Sequence, residues 1–223
     1  MDKQIAVAID GPVGAGKSTV AKLIAKKLGI IYVDTGAMYR SVGLYAVRKG
    51  IETTDAERLK EIIDEINLDV EIIDGVQNIF MNGENVSNLI RTPEISMAAS
   101  NVSAVVEVRN KLVDIQRGLS KSKSVIMDGR DIGTVVLPNA DTKIYLTASP
   151  EERAKRRYNE LINKGSKVTY QEVYDDLIVR DRNDSTRAAS PLKAADDAII
   201  LDTTGMSLEE VVDESIKLIN KEG

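Results

Sequence analysis

Short, mostly apolar runs of strand length alternate with longer stretches of helical period along most of this chain. The runs are "IAVAI" (5–9), "IIYV" (30–33), "SVIM" (124–127), "KIYL" (143–146) and "AIIL" (198–201). They are nearly continuous in their apolar content rather than alternating, which is the mark of strands covered on both faces. After the first run, a helix from about Lys17 sets Val20, Leu23, Ile24 and Leu28 on one face. Gly29 stands where a glycine commonly ends a helix. Ser149-Pro150-Glu151-Glu152 has an N-cap, proline at the first helical position and glutamate at the third. Thr169 with Glu172, and Ser207 with Glu210, repeat the capping-box spacing, and the last helix is expected to bury Leu208, Val211, Val212 and Ile219. Strands alternating with helices build βαβ units. The pattern therefore predicts an α/β fold with a doubly wound, five-stranded parallel sheet and helices on both faces.

One stretch breaks the alternation. "LDVEIIDGVQNIFMNGENV" (68–86) reads as a β-meander with turns at Asp74-Gly75 and Asn82-Gly83. Short strands of that kind inside a parallel α/β chain predict an insertion at about 62–92. The core then comprises 1–61, 93–148 and 190–223.

Composition narrows the chemistry. The chain has 223 residues, enough for one α/β domain with an insertion, and 43% of them are hydrophobic. Its formal net charge is −5, which argues against a general nucleic-acid-binding surface. There is no Cys and no His. Thiolate nucleophiles, disulfides, histidine bases and phosphohistidine are thereby excluded, and chemistry falls to Lys, Arg, Asp, Glu, hydroxyls and backbone. The opening apolar run is too short for a signal peptide, and Asp10 interrupts it. No run approaches the ~20 apolar residues of a membrane span, so a soluble, cytoplasmic protein is expected.

The first strand runs into "GPVGAGKST": Gly11, Pro12, Val13, Gly14, Ala15, Gly16, Lys17, Ser18 and Thr19. The spacing Gly-x4-Gly-Lys-Ser between a strand and a helix is the phosphate-binding P-loop pattern. Its glycines let successive backbone N–H groups turn inward around phosphate oxygens, and the helix start adds free donors and a positive dipole end. Lys17 would bridge the β- and γ-phosphates of a bound nucleotide, and the Ser18 hydroxyl would hold Mg²⁺. Among P-loop classes, a GTPase should carry an NKxD motif. "NKLV" (110–113) fails at its last position, and "DTTG" (202–205) lies too late in the chain for a guanine motif to follow. A small-molecule kinase needs a second anion site and cations around the transferring group. "VDTGAMYR" (33–40) supplies Thr35 and a glycine at a helix start, with Arg40 about one turn on. "MDGRDIGT" (127–134) places Asp128, Arg130 and Asp131 after the third core strand, at the carboxyl edge where doubly wound sheets bind ligands. "RAKRR" (153–157) and "VRDRNDSTR" (179–187) follow, and seven of the thirteen arginines fall within 130–187. Arginine forks suit phosphate oxygens.

Taken together, GPVGAGKST, DTGAMYR, IRTPEISMAAS (90–100), DGRDIGT, SPEERAKRR and RDRNDSTRAASPL (180–192) resemble the bacterial cytidylate kinases, of the nucleoside monophosphate kinase family within the P-loop NTPases. The resemblance runs over essentially the whole chain. It implies an ATP- and Mg²⁺-dependent kinase of CMP and dCMP, with the insert as the monophosphate-binding region and a short helical lid at about 149–189 carrying Arg153, Arg156 and Arg157. It further implies that Thr35, Arg40, Arg130 and Arg187 surround the acceptor phosphate. Ser100, Arg109 and Asp131 would face the cytosine edge, and Arg180 and Asp184 the sugar. Lys17, Asp128, Arg130, Arg153 and Arg157 are the expected catalytic residues. The expected partners are these small molecules, with no nucleic acid and no membrane, and a monomer is expected. Two alternatives remain open on the residues alone: a kinase for another nucleoside monophosphate, and a P-loop regulatory ATPase or switch with no small acceptor.

Overall fold

Every core strand reaches about one residue further than its apolar run, and the extra residue is usually polar. In the computed structural model, which describes residues 4–73, 76–121 and 123–222, the strands are β1 (Ala6–Asp10), β2 (Ile31–Asp34), β6 (Val125–Gly129), β7 (Thr142–Thr147) and β8 (Ile199–Asp202). They form one five-stranded parallel sheet in the order β2-β6-β1-β7-β8. Asp10 pairs in register with Gly129 and Tyr145, and Asp34 with Asp128. The carboxyl edge of an apolar sheet thus holds a row of carboxylates within the ladder itself.

Helices cover both faces, as the apolar runs require. On one side α1 (Lys17–Leu28) and α8 (Leu208–Glu222) pack on Val7, Ile9, Ile126, Ile144 and Leu146 through Val20, Ile24, Val211, Val212 and Ile219. On the other, α2 (Thr35–Arg48), α4 (Pro93–Val102) and α5 (Val106–Ser120) pack on Ala8, Val125 and Met127. Odd and even strand positions therefore serve different cores. Two expected core residues lie elsewhere: Leu23 is 37% exposed and Leu208 46% exposed. Ala21 and Ala25 take the buried α1 positions beside Val20 and Ile24, which rotates the buried face away from Leu23. Leu208 is the first residue of α8, a turn before its buried stripe begins. The caps form as expected. Gly29 ends α1 with positive φ, and Thr169 and Glu172 make a reciprocal capping box.

After α3 (Ala56–Ile62), β3 (Leu68–Ile73), β4 (Val76–Met81) and the two-residue β5 (Glu84–Asn85) form a separate antiparallel sheet. Asn82 and Gly83 both take positive φ, the geometry of a tight hairpin turn. The turn expected at Asp74-Gly75 lies outside the described residues. Past β7, α6 (Pro150–Asn163) and α7 (Tyr170–Thr186) form a helical hairpin over the loop that follows β1. There Val13 packs against Ala154, Leu177 and Tyr174. Among the described residues, no helix is long and apolar enough to cross a membrane.

Candidate active site

The loop after β1 is shaped by close approach. A Cβ on Gly11 would sit 2.0 Å from the Leu146 carbonyl oxygen of β7, and one on Gly14 would sit 2.9 Å from the Arg153 carbonyl oxygen of α6. Only glycine lets the backbone pass both places, and Gly14 also holds a positive φ of 74°. Lys17 opens α1, is buried, and donates Nζ–H to the Pro12 carbonyl at 2.7 Å. Burial and the nearby Arg130 charge pull its ammonium pKa well below the usual lysine range. The next residue, Ser18, donates its hydroxyl to Asp128 Oδ2 at 2.7 Å, and Tyr32 donates to Asp128 Oδ1 at 2.8 Å. Burial pushes the Asp128 carboxyl up, the Asp34 charge adds to this, and Lys17 opposes it.

A second group of residues assembles at the same sheet edge. The Asp34 carboxylate caps α2 by accepting from the Ala37 amide at 3.0 Å and from Arg40 at 2.8 Å. Burial alone would raise its pKa, but Arg40 and the amide outweigh burial and hold it low. Thr35 donates its hydroxyl to the Asp128 carbonyl at 2.7 Å, tying the start of α2 to the end of β6. After β6 the chain enters a π-helical turn, Ile132–Val136, with Asp131 immediately before it. Such turns often sit at functional sites. Asp10 fastens this one, since its two oxygens accept from the Ile132 and Gly133 amides at 2.8 and 2.7 Å.

Buried arginines and carboxylates converge on that turn. Asp131 Oδ2 accepts from Arg109 of α5, whose other amino group donates to the Ser103 carbonyl at 3.1 Å. Arg187 lies 3.9 Å from Asp131 Oδ1 and donates to the Ser103 hydroxyl at 3.1 Å. Arg130 donates Nε–H to Asp184 of α7 at 2.7 Å. Burial by itself would raise Asp184, but Arg130 holds its carboxyl below the ordinary value. Arg180 loses ground to burial and to the Arg130 charge, and its pKa falls to about 10.

One cleft of about 390 Å³ joins the two groups. Of the sequence-predicted residues, Val13, Gly14, Gly16, Lys17, Ser18 and Thr19 line it from the β1 loop. Thr35, Arg40, Ser100, Arg109, Asp128, Arg130, Asp131, Arg157, Arg180, Asp184 and Arg187 line it elsewhere. Gly11, Pro12 and Ala15 belong to the loop but not to the cleft wall. Arg153 is not on the wall either. It is buried, donating to the Ala148 and Val13 carbonyls at 3.0 and 2.9 Å and to Asp181 at 2.6 Å. Several buried donors on the wall have no hydrogen-bond partner among the described residues: Arg40 Nε, Ser100 Oγ, Arg109 Nε, Arg180 Nε and Arg187 Nη2. Unpaired buried polar atoms are costly, and the arginines that carry most of them line one cleft, a wall whose charge fits a polar, anionic ligand.

A profile of the cytidylate kinase family matches residues 7–221. The chain belongs to the cytidylate kinase family. It is 51% identical over 219 residues to a cytidylate kinase of Caldicellulosiruptor saccharolyticus, covering 98% of this chain and 97% of the relative. It is 46% identical over 220 residues to a cytidylate kinase of Bacillus cereus, covering 99% and 98%. The fold also matches the crystal structure of an uncharacterized protein from Eubacterium ventriosum, with a TM-score of 0.55 at 14% identity over 98% of this chain and 99% of that one.

In this cytidylate kinase family member the structure adds residues that motif reading passed over. Tyr32 and Asp34 organise the site, but Tyr32 belongs to a run read for its strand, and Asp34 lies in the VDTGAMYR stretch, where the motif singles out Thr35 and Arg40 instead. The Asp10 carboxylate, which interrupts an apolar run, was a usable signal of a buried charge with a task. Lys22 and Lys164 line the cleft without a recognisable spacing, and Tyr39 and Arg91 line it from motifs that give them no role.

Proposed function

We propose that the protein transfers the γ-phosphoryl group of ATP to the 5′-phosphate of CMP or dCMP, giving ADP and CDP or dCDP. The observation that carries the reading is the single cleft running from Lys17 and Ser18 to the Arg109–Asp131–Arg187 group, with Arg130 between. An oxygen of the acceptor phosphate attacks Pγ, the bond from Pγ to the β-bridging oxygen breaks, and ADP leaves with that oxygen. The acceptor is largely deprotonated at neutral pH, its second pKa being about 6, so no strong base is required. Protein groups chiefly position the reactants and offset charge. Lys17 and the loop amides hold the triphosphate, and Thr35, Arg40, Arg130 and Arg187 hold the acceptor phosphate. Arg157, on the cleft wall, would meet the transferring group.

Ser18 Oγ and Asp128 Oδ2 converge to 2.7 Å at the foot of the loop, a pair of hard oxygen donors that suits Mg²⁺ or its bound water. Bound there, the ion would neutralise charge on the β- and γ-phosphate oxygens. On the acceptor side, Asp131 on the cleft wall has one oxygen committed to Arg109 and the other 3.9 Å from Arg187, without a hydrogen bond to it. A carboxylate oxygen accepts from the cytosine amino group, whereas uracil presents a carbonyl at that position. Arg180 and Asp184 would face the sugar.

The test is an assay of ADP formation with ATP, Mg²⁺ and a panel of CMP, dCMP, UMP, AMP and dTMP. CMP and dCMP should be the best acceptors. Equal ATP hydrolysis with and without an acceptor would instead identify a regulatory ATPase, and preference for another monophosphate would identify a sibling kinase.

A further inference from the structure

The insert's small sheet meets the parallel sheet at the edge strand β2, and it does so through a side chain. Edge strands leave a row of backbone N–H and C=O groups without a ladder partner. At the carboxyl end of β2, Gln77 of β4 satisfies both groups of one residue. Its Oε1 accepts from the Asp34 amide at 2.7 Å, and its Nε2 donates to the Asp34 carbonyl at 3.1 Å. A primary amide carries an acceptor and a donor side by side, which is what an edge residue displays. Glutamate offers acceptors only, and leucine offers neither.

Asp34 is the residue on which the start of α2 depends. Its carboxylate caps the helix and holds Arg40, and the next residue is Thr35, tied to the Asp128 carbonyl. We propose that Gln77 is a positioning residue for the acceptor phosphate: its amide pins the insert to the Asp34 peptide and so sets Thr35 and Arg40. This rests on the reading of Thr35 and Arg40 as acceptor-phosphate groups given above. The inserted sheet shares a core with α2, but at the edge of β2 it reaches the Asp34 peptide through the Gln77 side chain rather than through a shared ladder. Gln77 touches no reacting atom. Its contribution appears in acceptor binding, because the groups it sets hold the phosphate before and during transfer.

The experiment uses the full chain with Gln77→Leu and Gln77→Glu, of similar volume but lacking the paired donor and acceptor. Steady-state kinetics give kcat and the KM values for CMP and ATP, and competition with cytidine, which lacks the phosphate, gives nucleoside affinity. Both variants should raise KM for CMP about tenfold, the signature of lost binding shared by ground and transition states, with kcat and KM for ATP within about twofold of wild type. Cytidine inhibition should be unchanged, a split that a general loss of structure would not produce. Wild-type KM for CMP in both variants overturns the proposal, as does a defect spread equally over CMP, ATP and cytidine. If Gln77→Leu gives no cooperative melt, Gln77→Glu alone decides. A wild-type protein inactive on CMP overturns the functional reading itself. An active wild type with silent variants overturns Gln77 alone.

Discussion

The two ends of the cleft are built by different means. The proposed donor end is eight consecutive residues whose backbone would do the binding. A Cβ on Gly11 or Gly14 would fall 2.0 or 2.9 Å from a backbone oxygen, so neither can carry a side chain, and Lys17 and Ser18 follow at once on α1. The acceptor end is side chains gathered from α2, α4, α5, the turn after β6, and α7, held by one another in buried ion pairs. A site made of backbone must be contiguous, and a contiguous site leaves a spacing that can be read. A site made of side chains can be assembled from anywhere the fold brings together. Its failure modes differ too: the donor end should lose turnover, and the acceptor end should lose selectivity.

The largest effect belongs to Lys17. If its ammonium stabilises charge on the transferring group, Lys17→Ala should lower kcat by about 10³ or more, by analogy with other charge-stabilising groups in phosphoryl transfer. CMP binding measured without ATP should stay near wild type. Near-normal turnover would remove Lys17 from the chemistry and blur the contrast between the two ends.

Arg153 sharpens the comparison from the other side. Sequence reading sets it with Arg157 as a catalytic lid arginine, but Arg153 holds Val13 of the loop and Asp181 of α7 from behind, whereas Arg157 lines the cleft. Arg153→Ala removes a buried guanidinium that holds two backbone carbonyls and the partly buried Asp181, and should lower unfolding stability by about 3 kcal/mol. Arg157→Ala removes a pair with Glu160 that is largely exposed, so its stability cost should stay under about 1 kcal/mol while turnover falls. Denaturant titration beside kinetics separates the two. An Arg153 variant of wild-type stability with collapsed turnover would return it to the chemistry.

Asp131→Asn addresses selectivity. The uracil carbonyl opposite the native carboxylate leaves an unpaired buried acceptor, a mismatch worth about 1–3 kcal/mol, or roughly ten- to a hundredfold and somewhat beyond. The variant's kcat/KM ratio for CMP over UMP should fall by about that factor. An unchanged ratio would leave base reading to Ser100 and Arg109.

What could be read beforehand follows the same division. Five strands, their parallel sheet and the β1 loop were legible because burial on two faces and a glycine-rich phosphate-loop spacing each impose a local pattern, whereas the order β2-β6-β1-β7-β8 was not. Thr35, Arg130 and Asp131 were legible because they sit at strand ends, where the fold class places ligands. The direction of Arg153 was not. "RAKRR" fixes positions on a helix, but which cation turns toward the loop depends on how α6 lies over Val13, a tertiary fact. Gln77 was equally hidden, since a polar residue in a half-exposed strand has no spacing to distinguish it. Leu23 and Leu208 show the smaller error: an apolar residue beside a buried stripe, or a turn before one, reads as part of it.

Asp10 joins the two ends, and it offers the finest test of their separation. It is the last residue of β1, one before Gly11, yet both its oxygens accept from amides of the turn that follows Asp131. Burial raises its carboxyl pKa to about 6 from 3.8, the Asp131 charge adds to this, and the two amides and Lys17 oppose it. A folded pKa above the unfolded one means that the folded state binds more protons between these values. Its stabilising contribution is complete below about pH 4 and is lost as pH rises through 6. Other groups titrate in that window, so the informative quantity is the difference between wild type and Asp10→Asn, measured by denaturant unfolding. That difference should fall by up to about 1.4 kcal/mol per pH unit from 4 to 6 and level off above. A difference that is flat with pH would mean that the two amide donors outweigh burial and that Asp10 stays ionised throughout. The junction between the donor loop and the acceptor turn would then be a fixed charge rather than a titrating one.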